Sequence, residues 1–344
     1  MKHHLLFDTR HGCSQRAFGV LLLVGLCALS CVSCRNESRP ELDAATASSN
    51  PDETSSQPAD TSGVASDGET TAQAPLNPVV PKETEWLGDG EVKFSAPETL
   101  LEEGGVVLER QLWKFGDFDG IAWRVRAPLK TPLRVLPSAK LRAVEDFSAS
   151  SEQGAWAILN GGFYESWPDG EQPYRAMGVV RSQGKEFSPY RHRGGSGVLF
   201  VEDGEPVILH RELYKKRGGE PPAQALQSID RIISGGKPLV KKREGAKMAA
   251  RSAVALTEKE VIFVALAART SVREFDGGAR LFKTSFLGLP LWAFADYVSA
   301  STGAIEALNM DGAVSTQMMV RLDGESFKVI GERGVINAVE LRLR

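Results

Sequence analysis

The 344-residue chain is close to neutral, with 41 Lys and Arg against 44 Asp and Glu and a formal net charge of −3. No basic, aromatic-interleaved patch is present, which excludes nucleic acid as a partner class. All four cysteines (Cys13, Cys27, Cys31, Cys34) lie near the start, and beyond them only His192 and His210 remain. A disulfide, a thiol nucleophile, a zinc cluster or a Ser-His-Asp triad therefore has almost nothing to draw on, and acid–base chemistry would fall to carboxylates.

Residues 1–34 read as an export signal. Lys2, Arg10 and Arg16 precede the apolar run Ala17 to Ser33, which is short for a membrane span. Its exit, Leu29-Ser30-Cys31-Val32-Ser33-Cys34, resembles a bacterial lipobox, with Cys34 or Cys31 as the lipidated residue. The expectation is an exported, membrane-anchored lipoprotein of the cell envelope, with soluble secretion and a retained anchor as alternatives. Residues 35–82 are rich in Ser, Thr, Ala, Pro, Asp and Glu. They bury too little apolar surface to offset ordering entropy, so they read as a disordered polar linker.

Residues 83–344 read as a single globular domain. Strand-like pieces fill Leu112 to Ala127, Trp156 to Leu159 and Val335 to Leu343. Three hairpins are predicted, around Glu202-Asp203-Gly204-Glu205, Thr257-Glu258-Lys259-Glu260 and Asp323-Gly324-Glu325-Ser326. One helix is predicted from Pro290 to Ser301, with apolar residues at Leu291, Phe294, Ala295 and Val298, Pro290 to open it and Gly303 to close it. Shorter helices are predicted near Ser138 to Phe147 and Ala223 to Ile229. The fold class is α+β, a large mixed or antiparallel sheet with a few covering helices.

Three apolar-to-polar junctions share a pattern: Asn160 before Gly161-Gly162, Ser234 before Gly235-Gly236, and Asp311 before Gly312. Glycines after a strand allow a sharp turn or a close ligand approach. A carboxylate at the carboxyl end of a strand is a natural place for chemistry, and Asp311 is predicted to sit at one. Gly194-Gly195-Ser196-Gly197 lacks the Gly-Lys-Ser/Thr ending of a phosphate loop and leads into a strand.

Four segments, in order, carry a resemblance: Asn160-Gly161-Gly162-Phe163-Tyr164, Arg251-Ser252-Ala253-Val254-Ala255, Leu308-Asn309-Met310-Asp311-Gly312 with Ser315-Thr316, and Glu332-Arg333-Gly334-Val335-Ile336-Asn337-Ala338. Together they resemble the phosphodiester glycosidases, over about Gly154 to Leu341. One departure stands out. The family usually has a run of glycines between the Asp and the Ser, whereas here Gly312 is followed by Ala313-Val314. A backbone needing positive φ there would disfavour Val314.

The resemblance implies a carbohydrate-phosphodiester substrate, such as an N-acetylglucosamine phosphodiester, whose cleavage at C1–O releases a good leaving group. The requirements are a carboxylate for water or for oxocarbenium character and a cation on the departing phosphate. Asp311 suits the first role and Arg251 the second, with Arg333 assisting. Glu165 is a candidate acid/base partner or a solvated loop residue. Asn160, Gly161, Gly162, Gly312 and Ser315 are expected to bind substrate. No cofactor is implied, although Asp and Glu oxygens leave Ca²⁺ or Mg²⁺ open. The other readings are a non-catalytic envelope module that binds anionic glycan, and a hydrolase acting on N-acetylmuramoyl or capsule glycan.

Overall fold

The computed structural model describes residues 84–342, except 151–153, 167–172, 194, 243–246, 270–271, 276–279 and 285–286, and describes backbone alone at 148–150, 272–275 and 280–284. The signal, the candidate lipidation sites Cys31 and Cys34, and the linker to residue 82 lie outside the described residues.

All three predicted hairpins form. Gly197–Glu202 pairs with Glu205–His210, Arg251–Leu256 with Glu260–Ala268, and Met318–Leu322 with Glu325–Ile330. Two of the turns place Asp-Gly pairs in the left-handed region: Asp203 and Gly204 at φ 51° and 84°, Asp323 and Gly324 at 52° and 74°. Such turns match the twist of antiparallel strands. The third is closed by Thr257 Oγ1, which accepts the Glu260 N–H at 2.9 Å.

The chain is richer in sheet than an α+β reading implies. Among the described residues, four sheets of nine, seven, five and two strands dominate. Every pairing is antiparallel except Arg280–Thr284 with Glu325–Ile330. The predicted long helix is found at Leu291–Thr302, with Pro290 before it and Gly303 closing it in the left-handed region at φ 67°. The two shorter helices are corrected. Ser138 to Arg142 completes the strand Leu133–Arg142, and a 3₁₀ turn begins at Val144. Ala225–Ser228 is a buried central strand of the five-stranded sheet. The structure adds a six-residue helix, Arg211–Lys216, whose first turn is capped by His210.

Strand alternation divides the nine-stranded sheet between two cores. Val254, Leu256, Phe263 and Leu308 join Leu159, Val320 and Val339 of the seven-stranded sheet in one cluster. Their neighbours Ala253, Ala255, Ile262 and Val264 pack against Trp292, Phe294, Tyr297 and Val298 of the long helix. Burying each large side chain fully is worth about 1.5–3 kcal/mol.

The site lies where the two large sheets run out together. In one, Glu306–Asn309 sits between Arg251–Leu256 and Arg231–Ser234. In the other, Trp156–Asn160 sits between Met318–Leu322 and Val335–Arg342. Just past the two strand ends, the Asp311 N–H donates to the Gly161 carbonyl at 2.9 Å, stitching the sheets together.

Candidate active site

Asp311 is held through its main chain. Its carbonyl accepts from Asn160 Nδ2 at 2.6 Å and from Ser252 Oγ at 2.9 Å. A 3₁₀ turn, Ala313–Ser315, follows at once and brings Ser315 back towards the carboxylate. The Ser315 hydroxyl and the Gly312 N–H both hydrogen-bond that carboxylate. Burial pushes the Asp311 carboxyl up to about 6, against those two bonds and the Arg333 charge, which favour ionisation. An acid poised near neutrality is suited to proton transfer.

Tyr164 completes the cluster. Its ring lies beneath the Arg333 guanidinium at 5.7 Å, and its hydroxyl donates to the Gly334 carbonyl at 3.1 Å. Burial raises the phenol above its usual range. Arg333 and a hydrogen bond with Ser315 pull it back, and the Asp311 charge adds to the rise. The edge of the Tyr164 ring system packs T-shaped on Tyr174, with centroids 5.8 Å apart. A carboxylate, a phenol, a hydroxyl and an exposed guanidinium therefore converge on one place.

The other predicted residues fall differently. Asn160 is fully buried, and both ends of its amide engage backbone: Nδ2 on Asp311, Oδ1 accepting the Gln317 N–H at 3.0 Å. It shapes the turn and is not presented to a ligand. Gly161 and Gly162 likewise do not offer their N–H groups. The first donates to the Asn337 carbonyl at 2.9 Å and the second to Asn337 Oδ1 at 2.7 Å. Their need for glycine is steric: a Cβ on Gly161 would lie 2.0 Å from Asn337 Oδ1, and one on Gly162 2.7 Å from the Gln227 carbonyl.

Arg251 heads the strand beside Asp311 but serves other partners. Its Nε donates to the Leu289 carbonyl at 3.0 Å and its Nη2 to the Lys247 carbonyl at 2.9 Å. Burial brings its pKa down to about 10, with Asp230 acting in the opposite direction. Glu165 is ion-paired with Arg191. The Ser234-Gly235-Gly236 junction is a hairpin turn at the far end of the Asp311 strand, where the Gly235 N–H donates to Glu306 at 3.2 Å. Among the described residues, no three His, Cys, Asp or Glu side chains cluster as a metal site would require.

A family model for phosphodiester glycosidases matches residues 153–341, more than half of the chain. The chain belongs to the phosphodiester glycosidase family. Among solved structures, the zebrafish N-acetylglucosamine-1-phosphodiester alpha-N-acetylglucosaminidase catalytic domain, auto-inhibited by its pro-peptide, is 15% identical. The match covers 75% of this chain and 85% of that one, with a TM-score of 0.47. A protein of Burkholderia pseudomallei K96243 is 12% identical over 66% of this chain and 74% of that one, with a TM-score of 0.39. No curated protein matches the chain.

The glycine departure in this phosphodiester glycosidase resolves locally. The residue with positive φ is Ala313, at 54°, and Val314 is spared it. The Val314 carbonyl accepts the Arg333 N–H at 3.0 Å, so the altered turn carries the segment that bears the site cation. Two residues of the site were not assigned roles from sequence. Tyr164 stands inside the Asn160-Gly161-Gly162-Phe163-Tyr164 segment, which was its only signal. Gln317 follows Ser315-Thr316 and has no signal of its own.

Proposed function

We propose that this phosphodiester glycosidase is a hydrolase that cleaves the bond between the anomeric carbon of a sugar and the oxygen of a phosphodiester. Asp311 accepts a proton from water as the water oxygen bonds to C1. The C1–O bond breaks, and the electron pair leaves with the phosphate monoester. Arg333, exposed and stacked on Tyr164, meets the departing phosphate. Ser315 orients the carboxylate, and Tyr164, bonded to Ser315, carries Arg333 over its ring. The observation that carries this reading is the convergence of Asp311, poised at about 6, with Ser315, Tyr164 and Arg333 within the family's matched span.

The reaction belongs at the cell envelope, where a lipidated Cys34 or Cys31 would anchor the protein to the membrane. The N-acetylglucosamine 1-phosphodiesters head the substrate panel. Release of free sugar and phosphate monoester by the wild-type protein, and its loss in Asp311→Asn, is the expected result. Binding without turnover across the panel would replace this reading with that of a non-catalytic module for anionic glycan.

A further inference from the structure

We propose that Gln317 is a positioning residue which, with Asn160, fixes the Arg333 cation relative to the Asp311 carboxylate; this rests on the reading that both serve one reaction. Gln317 is 2% exposed and follows the 3₁₀ turn that carries Ser315. Its Nε2 donates to the Arg333 carbonyl at 2.7 Å, and its Oε1 accepts the Val144 N–H at 3.0 Å. Its own N–H donates to Asn160 Oδ1 at 3.0 Å, and its carbonyl accepts the Asn160 N–H at 3.1 Å. Asn160 Nδ2 then reaches the Asp311 carbonyl at 2.6 Å. One unbroken run of hydrogen bonds, buried between Gln317 and Asn160 and part-buried at its two ends, thus links the main chain of Arg333 to that of Asp311.

Buried, fully partnered amides hold geometry tightly, because breaking either bond strands a polar group away from water. The Arg333 side chain has no such restraint. It is exposed, and its contact is with the Tyr164 ring. Its charge is therefore placed by its backbone, which three bonds hold: Gln317 to its carbonyl, its N–H to Val314, and Tyr164 to the next carbonyl. The Val314 bond ties Arg333 to the turn that follows Asp311, and the Gln317 bond ties it to the Asp311 carbonyl through Asn160. Coulombic interaction falls with distance, and small misplacements of a charged group are costly in a site.

The test reads the Asp311 carboxyl directly, so it does not depend on finding a substrate. The groups that face Asp311 are Ser315, the Gly312 N–H, Arg333 and Tyr164. Titration of that carboxyl by carbon NMR is compared in wild type, Gln317→Met, Arg333→Met and the double variant. Loss or displacement of Arg333 removes a charge that favours ionisation. Both single variants should therefore raise the midpoint. The double variant should go no higher than Arg333→Met alone, because Gln317 acts through Arg333. An unchanged midpoint in Gln317→Met, or a further rise in the double variant, would overturn the proposal. Should Gln317→Met not fold, Gln317→Asn carries the same expectation, being one methylene too short to reach Val144 and Arg333 together. If the wild type cleaves no phosphodiester of the panel, the reaction reading fails while the titration still decides the positioning.

Discussion

Arg251 continues the ladder that sets Ala253 opposite Asn309, which brings it alongside Asp311, yet the two charges serve different partners. The cation that acts on the Asp311 carboxylate is Arg333, and the anion that acts on Arg251 is Asp230. Adjacency in a ladder fixes the backbones, while the side chains diverge where the strands end. The expectations for the two arginines follow from this division.

Arg251→Lys should lower stability and leave phosphate-ester handling largely intact. Lysine cannot reproduce both the Nε bond to Leu289 and the Nη2 bond to Lys247, at a cost of about 1–2 kcal/mol. Arg333→Met should do the reverse, lowering kcat/KM for phosphodiesters by roughly tenfold or more with little change in melting. Melting temperature and steady-state kinetics on the two variants check this, and a collapse of turnover in Arg251→Lys at unchanged Tm would restore Arg251 to the site.

Asp311→Asn should reduce turnover by roughly 10² or more and at the same time stabilise the fold at neutral pH. The folded carboxyl sits at about 6, above the unfolded value near 3.9. Between those values the folded state binds more protons, so stability falls as pH rises through that window, and the penalty is complete above about 6. Asparagine has no charge to bury. Its variant should be more stable than wild type by about 1–3 kcal/mol near neutrality, with the gain vanishing below about pH 4. Thermal melts across that range provide the measurement.

The same group governs the activity profile. With Asp311 as base, kcat/KM should climb as pH rises through about 6 and then level off. In Arg333→Met the climb should move to higher pH, since a charge favouring ionisation has gone. A profile flat from about pH 5 to 8 would remove Asp311 from proton transfer.

Ala313→Gly should raise stability by about 1 kcal/mol, because the left-handed backbone at φ 54° strains an alanine and suits a glycine. Activity should hold, since the turn keeps its shape. A loss of stability would mean that Ala313 is favoured by contacts that outweigh its backbone.

Replacing Cys31 and Cys34 together by alanine should release the full-length protein from membranes or leave its signal uncleaved. Fractionation and gel mobility identical to wild type would end the lipoprotein reading.

Much of the fold was legible because its signals are local. Asp203-Gly204 and Asp323-Gly324 announce their turns, and the apolar spacing from Leu291 to Val298 announces its helix. Ala223 to Ile229 misled because Ala, Leu and Gln favour helices in isolation, while the five-stranded sheet buries Ala225–Ser228 from both sides as a strand. At the site, the carboxylate and its turn could be read, since Asp311 and Gly312 are neighbours. The use made of Gly161 and Gly162 could not, because Asn337, which takes their N–H groups, lies 175 residues from Gly162. Nor could the fate of Arg251 be read, because Leu289 and Asp230 reach it only through tertiary packing.

The strand Val335–Arg342 lies inside its sheet, between Leu133–Arg142 and Trp156–Asn160. Its partners are made early in synthesis and must wait for it, so the pairing has high contact order and forms slowly. Until that strand docks, Asn337 is absent from Gly161 and Gly162, and the strand Trp156–Asn160 lacks one of its two neighbours. Completion of the site therefore waits on this strand. A chain in which that strand has not docked would expose an unpaired strand edge for which folding helpers would compete.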